Sequence, residues 1–176
     1  FGQSSIVHCE TVEAEAERLS NGHAEPKADF ENWIATQIAY RKANGIGASR
    51  AVVTIPVIFH VIHDGDNVGS GENLSQAQIN SQLAVLNEDF RRKAGTTGFN
   101  TNAVGADCEI EFCMAVIDPN GNMLAEPGID RKNMGQSSWQ RSTGATNDIQ
   151  GVLKPQTSWN PDKYFNIWTV NFGGAS

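Results

Sequence analysis

The sequence predicts an α/β (α+β) domain: a twisted, mostly parallel sheet with one backing helix, in the order β-α-β-β, preceded by a separate helical segment. Three observations predict it. Residues 52–62 are an almost unbroken run of β-branched and apolar side chains, residues 75–95 carry a complete helix signature, and residues 109–117 and 164–172 alternate from face to face. Strand, helix, strand in that order favours a right-handed parallel crossover.

Each element has a local reason. Thr11 to Leu19 is acidic and alanine-rich, which predicts a short exposed helix with Glu13, Glu15 and Glu17 near its positive end, stopped by Ser20-Asn21-Gly22. A second helix is expected after Pro26, with Asp29 as N-cap and Phe30, Trp33, Ile34 and Ile38 on one apolar face, ending at Asn44-Gly45-Ile46-Gly47. The glycines and Ala48-Ser49-Arg50 make a joint where a removable segment could be cut, so residues 1–50 and 51–176 are expected to be separate units. Val52 to Ile62 reads as a strand buried on both faces; Pro56 cannot donate a ladder hydrogen bond, so the strand's beginning should lack a neighbour on that side. Ser75 and Gln78 form a capping box, Ile79, Leu83, Leu86 and Phe90 follow at helical spacing, and Arg91-Arg92-Lys93 with Gly95 stops the helix. Glu109 to Ile117 is the second strand, with Ile110, Phe112, Met114 and Val116 on one face, and Asp118-Pro119-Asn120-Gly121 is a turn. Residues 122–157 then read as a long excursion with a short helix near Asp148 to Leu153, and Tyr164 to Phe172 as the third strand.

Composition and motif searches exclude several functions. The chain has 176 residues and net charge −7, and its densest cationic stretch is Arg91-Arg92-Lys93, which argues against a nucleic-acid binder. No apolar run approaches the roughly 20 residues needed to span a bilayer. Phe1-Gly2-Gln3-Ser4-Ser5 has neither basic nor long apolar character, so the chain is expected to begin after any signal peptide. Nucleophile-elbow, GxGxxG and phosphate-loop patterns are absent. Zinc peptidases need His, Glu and His on one helix face, but the residues after the four histidines are Cys9, Ala24, Val61 and Asp64, so HExxH is absent too.

Four weaker signals remain. His60 and His63 lie three apart on a strand and point to opposite faces, so one is expected to be packed and the other to cap the strand end. Asp64, Asp66 and Glu72 resemble a calcium loop only loosely, and a solvated turn accounts for them better. Asn73-Leu74-Ser75 is a glycosylation sequon, but Ser75 is already needed as a helix cap. Of the cysteines, Cys9, Cys108 and Cys113, one is left over in any pairing, either as a small buried hydrophobe or as a functional thiol. Cys108 and Cys113 are an odd number apart in one strand and should not bond each other.

Several blocks together resemble a known family. Ile55-Pro56-Val57-Ile58-Phe59-His60-Val61-Ile62-His63, Leu74-Ser75 with Gln78-Ile79, and Leu86-Asn87-Glu88-Asp89-Phe90-Arg91-Arg92 are similar to the start of the pappalysin-type metzincins. Glu109-Ile110-Glu111-Phe112-Cys113-Met114-Ala115, Asp118-Pro119-Asn120-Gly121, Trp159-Asn160-Pro161, Tyr164-Phe165-Asn166-Ile167-Trp168 and Asn171-Phe172-Gly173-Gly174 follow in that family's order. The resemblance spans residues 52–174 and implies a secreted bacterial zinc endopeptidase precursor: a pro-segment, then the N-terminal subdomain. The family's HExxHxxGxxH helix and Met-turn come after the Gly-Gly, so no catalytic or metal-ligating residue is expected in this chain, which alone should be inactive. It further implies zinc in the full-length enzyme, with calcium as an optional second ion, and a protein or peptide substrate bound through the missing half. Cys9 is the only candidate for a pro-segment thiolate that blocks the zinc. Val170 stands where the family often has a cysteine, which weakens any disulfide carried over from the family. The alternative is a non-catalytic secreted binding module that contacts peptide or glycan through Trp139 and Trp159 or a strand edge. Removal of half a sheet would leave the chain prone to self-association.

Overall fold

The computed structural model describes residues 11–20, 27–46, 51–141 and 144–172. The chain divides into two units, Phe1–Ser49 and Arg50–Ser176. In the first, α1 spans Thr11–Ser20 and α2 spans Lys27–Ala43. Helix α2 starts two residues ahead of the expected cap, so Asp29 sits in its first turn, where its charge still complements the positive end. Gly45, at φ +64°, closes the helix: Ile46 N–H donates to Arg41 O at 2.9 Å and Gly45 N–H to Lys42 O at 3.3 Å. No residue of α2 is buried; Phe30 and Trp33 stack on each other at 6.1 Å and stay exposed. The expected stops at Asn21-Gly22 and Gly47, and Pro26, lie outside the described residues.

The second unit is organised by one strand. β1 (Val53–His63) pairs in parallel with β2 (Ile110–Met114), β3 (Ile129–Asn133) and β4 (Phe165–Thr169). Three neighbours fit on two flanks because β2 and β3 share one. The N–H groups of odd-numbered residues point to that flank, where Val53 N–H donates to Glu109 O at 2.8 Å and Phe59 N–H to Gly128 O at 2.8 Å. Between them the chain hands over: Ala115 N–H donates to Val57 O, and Gly128 N–H to Ala115 O. Gly128 is at φ +72°, and a Cβ there would come within 2.9 Å of Met114 Cβ, so the handover requires glycine. Even-numbered N–H groups point to the β4 flank, and β4 pairs only from Val57 onward. Among the described residues, Pro56 therefore occupies the stretch with no neighbour on its side, as its missing N–H predicts.

Both faces of β1 are covered, and Val57 to Ile62 are all buried. Its odd residues Val57, Phe59 and Val61 pack with Phe112 and Ile129 under α3 (Gln76–Phe90), which contributes Ile79, Leu83 and Leu86. The capping box forms: Ser75 Oγ accepts from Gln78 N–H, and Gln78 Oε1 accepts from Ser75 N–H at 2.9 Å. Phe90 meets Phe112 edge to face at 4.9 Å. On the opposite face Ile62 packs with Trp139, Ile149 and Leu153 from the long excursion. That excursion holds the expected short helix, a π turn at Ile149–Leu153 that runs into α4 (Lys154–Thr157).

Three expectations need correction. The sheet has four strands, because β3 lies inside the stretch read as an aperiodic excursion. The second strand stops at Met114, since the chain must leave β1 to make room for β3; Val116 is exposed rather than part of the apolar face, and Ile117, the expected last residue, is exposed too. The last strand is regular only over Phe165–Thr169, although Phe172 makes a further parallel bridge to Trp139. No strand pairs with the outer edge of β4 among the described residues.

Candidate functional site

The most chemically specific cluster is centred on His60. In a parallel sheet, side chains of register partners stand side by side on one face, and His60 is paired with Asp130 on one flank and Trp168 on the other. The ring is fully buried. Its Nδ1 lies 2.9 Å from Asp130 Oδ2 and its Nε2 2.8 Å from Asn166 Oδ1. Trp168 stacks on the ring at 5.2 Å and Trp159 meets it edge-on at 5.9 Å. Burial works against the Asp130 carboxylate, but the His60 hydrogen bond and Lys132, 3.3 Å away, outweigh it and hold that carboxyl below its usual range. His63 has the other expected role: its Nδ1 accepts from Gly65 N–H at 3.1 Å where the strand turns. Opposite faces were legible from strand parity; which histidine is packed is set by β3 and β4.

A second group surrounds Arg131. Its guanidinium grips the Glu126 carboxylate through Nε at 2.6 Å and Nη2 at 2.8 Å, and its Nη1 donates to Asn73 Oδ1 and Leu74 O, both at 2.7 Å. This bidentate contact holds the Glu126 carboxyl below its ordinary range. Asn73 is 3% exposed and its Nδ2 donates to Asp66 O, so the sequon asparagine serves loop structure and is closed to a glycan.

Beside it, Asp64, Asp66 and Glu72 each bring one carboxylate oxygen within 4.8 Å of the others. Glu72 Oε1 is shielded from water and accepts no hydrogen bond. Oxygen-only donors of this kind suit a hard cation, not zinc. Zinc finds no ligand set among the described residues: His60 has both nitrogens engaged, and His63 faces the other way. Cys108 and Cys113 are exposed free thiols; Cys108 lies ahead of β2, with Glu109 at φ +54° between them, so the two do not share one strand as expected. Cys9 lies outside the described residues. Trp139 is 1% exposed and belongs to the core, which removes it from any ligand-contacting surface.

A parallel sheet with one long buried strand, backed by a capped helix, is the architecture of a metzincin-like N-terminal subdomain. No protein-family model matches the chain, and no curated protein does. Solved structures that resemble it include those of mirolysin, a metzincin-type metallopeptidase. Mirolysin in complex with a compound (compound 9) is 33% identical, with a TM-score of 0.56 over 70% of this chain and 44% of that one. Mature mirolysin of Tannerella forsythia with a cleaved peptide is 32% identical, with a TM-score of 0.54 over 72% of this chain and 45% of that one. A mutant of its precursor, promirolysin, is 29% identical, with a TM-score of 0.54 over 78% of this chain and 45% of that one. The chain thus spans less than half the length of the enzymes it matches.

Proposed function

We propose that this chain is the N-terminal portion of a secreted, pappalysin-type zinc endopeptidase precursor. Residues 1–50 are its pro-segment and residues 51–176 its N-terminal subdomain. The observation that carries this reading is the likeness to mirolysin at about one-third identity, which includes the precursor form. The match to promirolysin covers 78% of 176 residues, about 137, which exceeds the 127 residues of Arg50–Ser176 and so extends into the first unit. Peptide hydrolysis belongs to residues outside this chain: three histidines would hold zinc, which supplies an activated water, and a glutamate would take its proton. The described residues contribute the scaffold, and the free edge of β4 would be covered by the rest of the sheet or, in the isolated chain, by self-association.

The test is the source gene beyond the codon for Ser176. An open frame that reaches HExxHxxGxxH is expected; a stop without that motif overturns the reading. In the full-length precursor, Cys9 is the thiol placed to block the zinc. Cys9→Ala should then yield peptidase activity before any cleavage, measured on a fluorogenic peptide, and unchanged latency would reject that role for Cys9.

A further inference from the structure

Three Asn-Gly or Asp-Gly pairs lie among the described residues, at Asn44-Gly45, Asp64-Gly65 and Asn120-Gly121. Such a pair is where a backbone can rearrange, because a glycine nitrogen with no Cβ beside it can approach the side-chain carbon of the residue before it. The three differ in what holds the glycine N–H. Gly45 N–H donates to Lys42 O at 3.3 Å and Gly121 N–H to Asp118 O at 3.0 Å, and a backbone carbonyl is too weak a base to take the proton. Gly65 N–H instead donates to His63 Nδ1 at 3.1 Å. An N–H only donates, so Nδ1 is the ring nitrogen that carries the lone pair, and that lone pair is aimed at the proton a rearrangement must remove. Asp64 and Gly65 are both exposed, and Gly65 stands at φ +124°, a conformation that favours glycine.

We propose that His63, Asp64 and Gly65 form a self-modification site, at which Asp64 isomerises through a succinimide to an isoaspartyl residue with His63 as the general base. Gly65 N attacks Cγ of the Asp64 carboxylic acid while its proton passes to His63 Nδ1. The bond from Cγ to the hydroxyl oxygen then breaks, and that oxygen takes the proton back from Nδ1 and leaves as water. One C–N bond has replaced one C–O bond, and the imidazole is regenerated. A second water then adds to the backbone carbonyl carbon of Asp64 and breaks its bond to Gly65 N, which leaves the chain running through Cγ. Nothing is oxidised or reduced, and the mass is unchanged.

The site sits where the fold feels one extra backbone carbon. On one side, His63 O accepts from Met134 N–H at 2.9 Å, and His63 is paired with Asn133 where β1 and β3 end. On the other, Asp66 O accepts from Asn73 Nδ2 at 2.6 Å. Residues 63 and 66 are thus pinned, and the added carbon has to be absorbed between them. The carboxylate that Asp64 brings to Asp66 and Glu72 is replaced by one attached directly to Cα, on a shorter arm, so the three oxygens no longer converge. Isomerisation therefore loosens the 64–73 loop and marks the aged fraction of the protein.

The 176-residue chain incubated at neutral pH should accumulate isoaspartate at residue 64, located by fragmentation mass spectrometry of a digest. It should do so faster when folded than in urea, where nothing holds Nδ1 on Gly65 N–H. His63→Gln keeps an acceptor for Gly65 N–H but takes no proton, and should slow the folded rate about tenfold or more. Absence of isoaspartate at residue 64, a folded rate at or below the rate in urea, or an unchanged rate in the variant overturns the proposal. Should His63→Gln fail to fold, the folded and unfolded rates of the native sequence decide alone.

Discussion

Asp148→Ala is expected to lower the unfolding free energy by about 3 kcal/mol, with the 144–157 segment loosening first. Asp148 is 3% exposed, and its carboxylate satisfies three backbone donors at 2.8 Å each: Gln150 and Gly151 N–H through Oδ1, and Gly144 N–H through Oδ2. Loss of an N-cap alone costs about 1 kcal/mol, and each donor left buried without a partner adds about 1–3 kcal/mol where water cannot reach it. Gly151 is part of the device, since a Cβ there would lie 3.0 Å from Asp148 Oδ2. The turn that Asp148 starts carries Ile149 and Leu153 into contact with Ile62 and Trp139, so an uncapped turn also unseats one face of β1. Asp148→Asn keeps one acceptor but turns an NH2 towards a donor, and should lose roughly half as much. Urea unfolding followed by tryptophan fluorescence reads both, because Trp139 and Trp168 sit in the affected cluster. An alanine variant with the native midpoint would mean that water replaces the carboxylate at no cost.

Those elements that carry their own local signal were legible. β1 announces itself through β-branched residues buried on both faces, and α3 through its capping box. β3 was not legible, because Ile-Asp-Arg-Lys-Asn contains one apolar residue and no alternation. What makes it a strand is remote: Asp130 meets His60 seventy residues away, and Arg131 meets Asn73 fifty-eight residues away. No sequence window contains both partners. The same reason hid the site. Parity placed His60 and His63 on opposite faces, but only the assembled sheet brings Asp130, Asn166, Trp159 and Trp168 around one of them. The end of β2 was overextended for a related cause: Val116 continues the alternation of Ile110, Phe112 and Met114, yet β3 displaces the chain from β1 at Ala115.

The second large effect is expected at Asn87, a polar residue on the sheet-facing side of α3 where helical periodicity alone would place a hydrophobe beside Leu83, Leu86 and Phe90. Along β2, Glu109 O accepts from Val53 N–H and Ala115 N–H donates to Val57 O, so the ladder to β1 uses odd-numbered groups and leaves those of Phe112 pointing outward. Asn87 meets both: Phe112 N–H donates to Asn87 Oδ1 at 2.6 Å, and Asn87 Nδ2 donates to Phe112 O at 2.9 Å. One side-chain amide thus acts as a single residue of a neighbouring strand and closes that edge at its buried point. Asn87→Leu keeps the branching and heavy-atom count but strands a donor and an acceptor in a half-buried crevice, at about 2–3 kcal/mol, a large share of the 5–15 kcal/mol that holds a domain of this size. Asn87→Asp separates hydrogen bonding from packing. At neutral pH its carboxylate still accepts from Phe112 N–H but repels Phe112 O, whereas protonation restores a donor. The aspartate variant should therefore regain part of its lost stability, relative to the native chain, as pH falls towards the carboxyl range, while the leucine variant should not. Parallel urea titrations of the three proteins at pH 7 and pH 4 read this directly, and a leucine variant as stable as the native chain would show that the edge of β2 needs no partner.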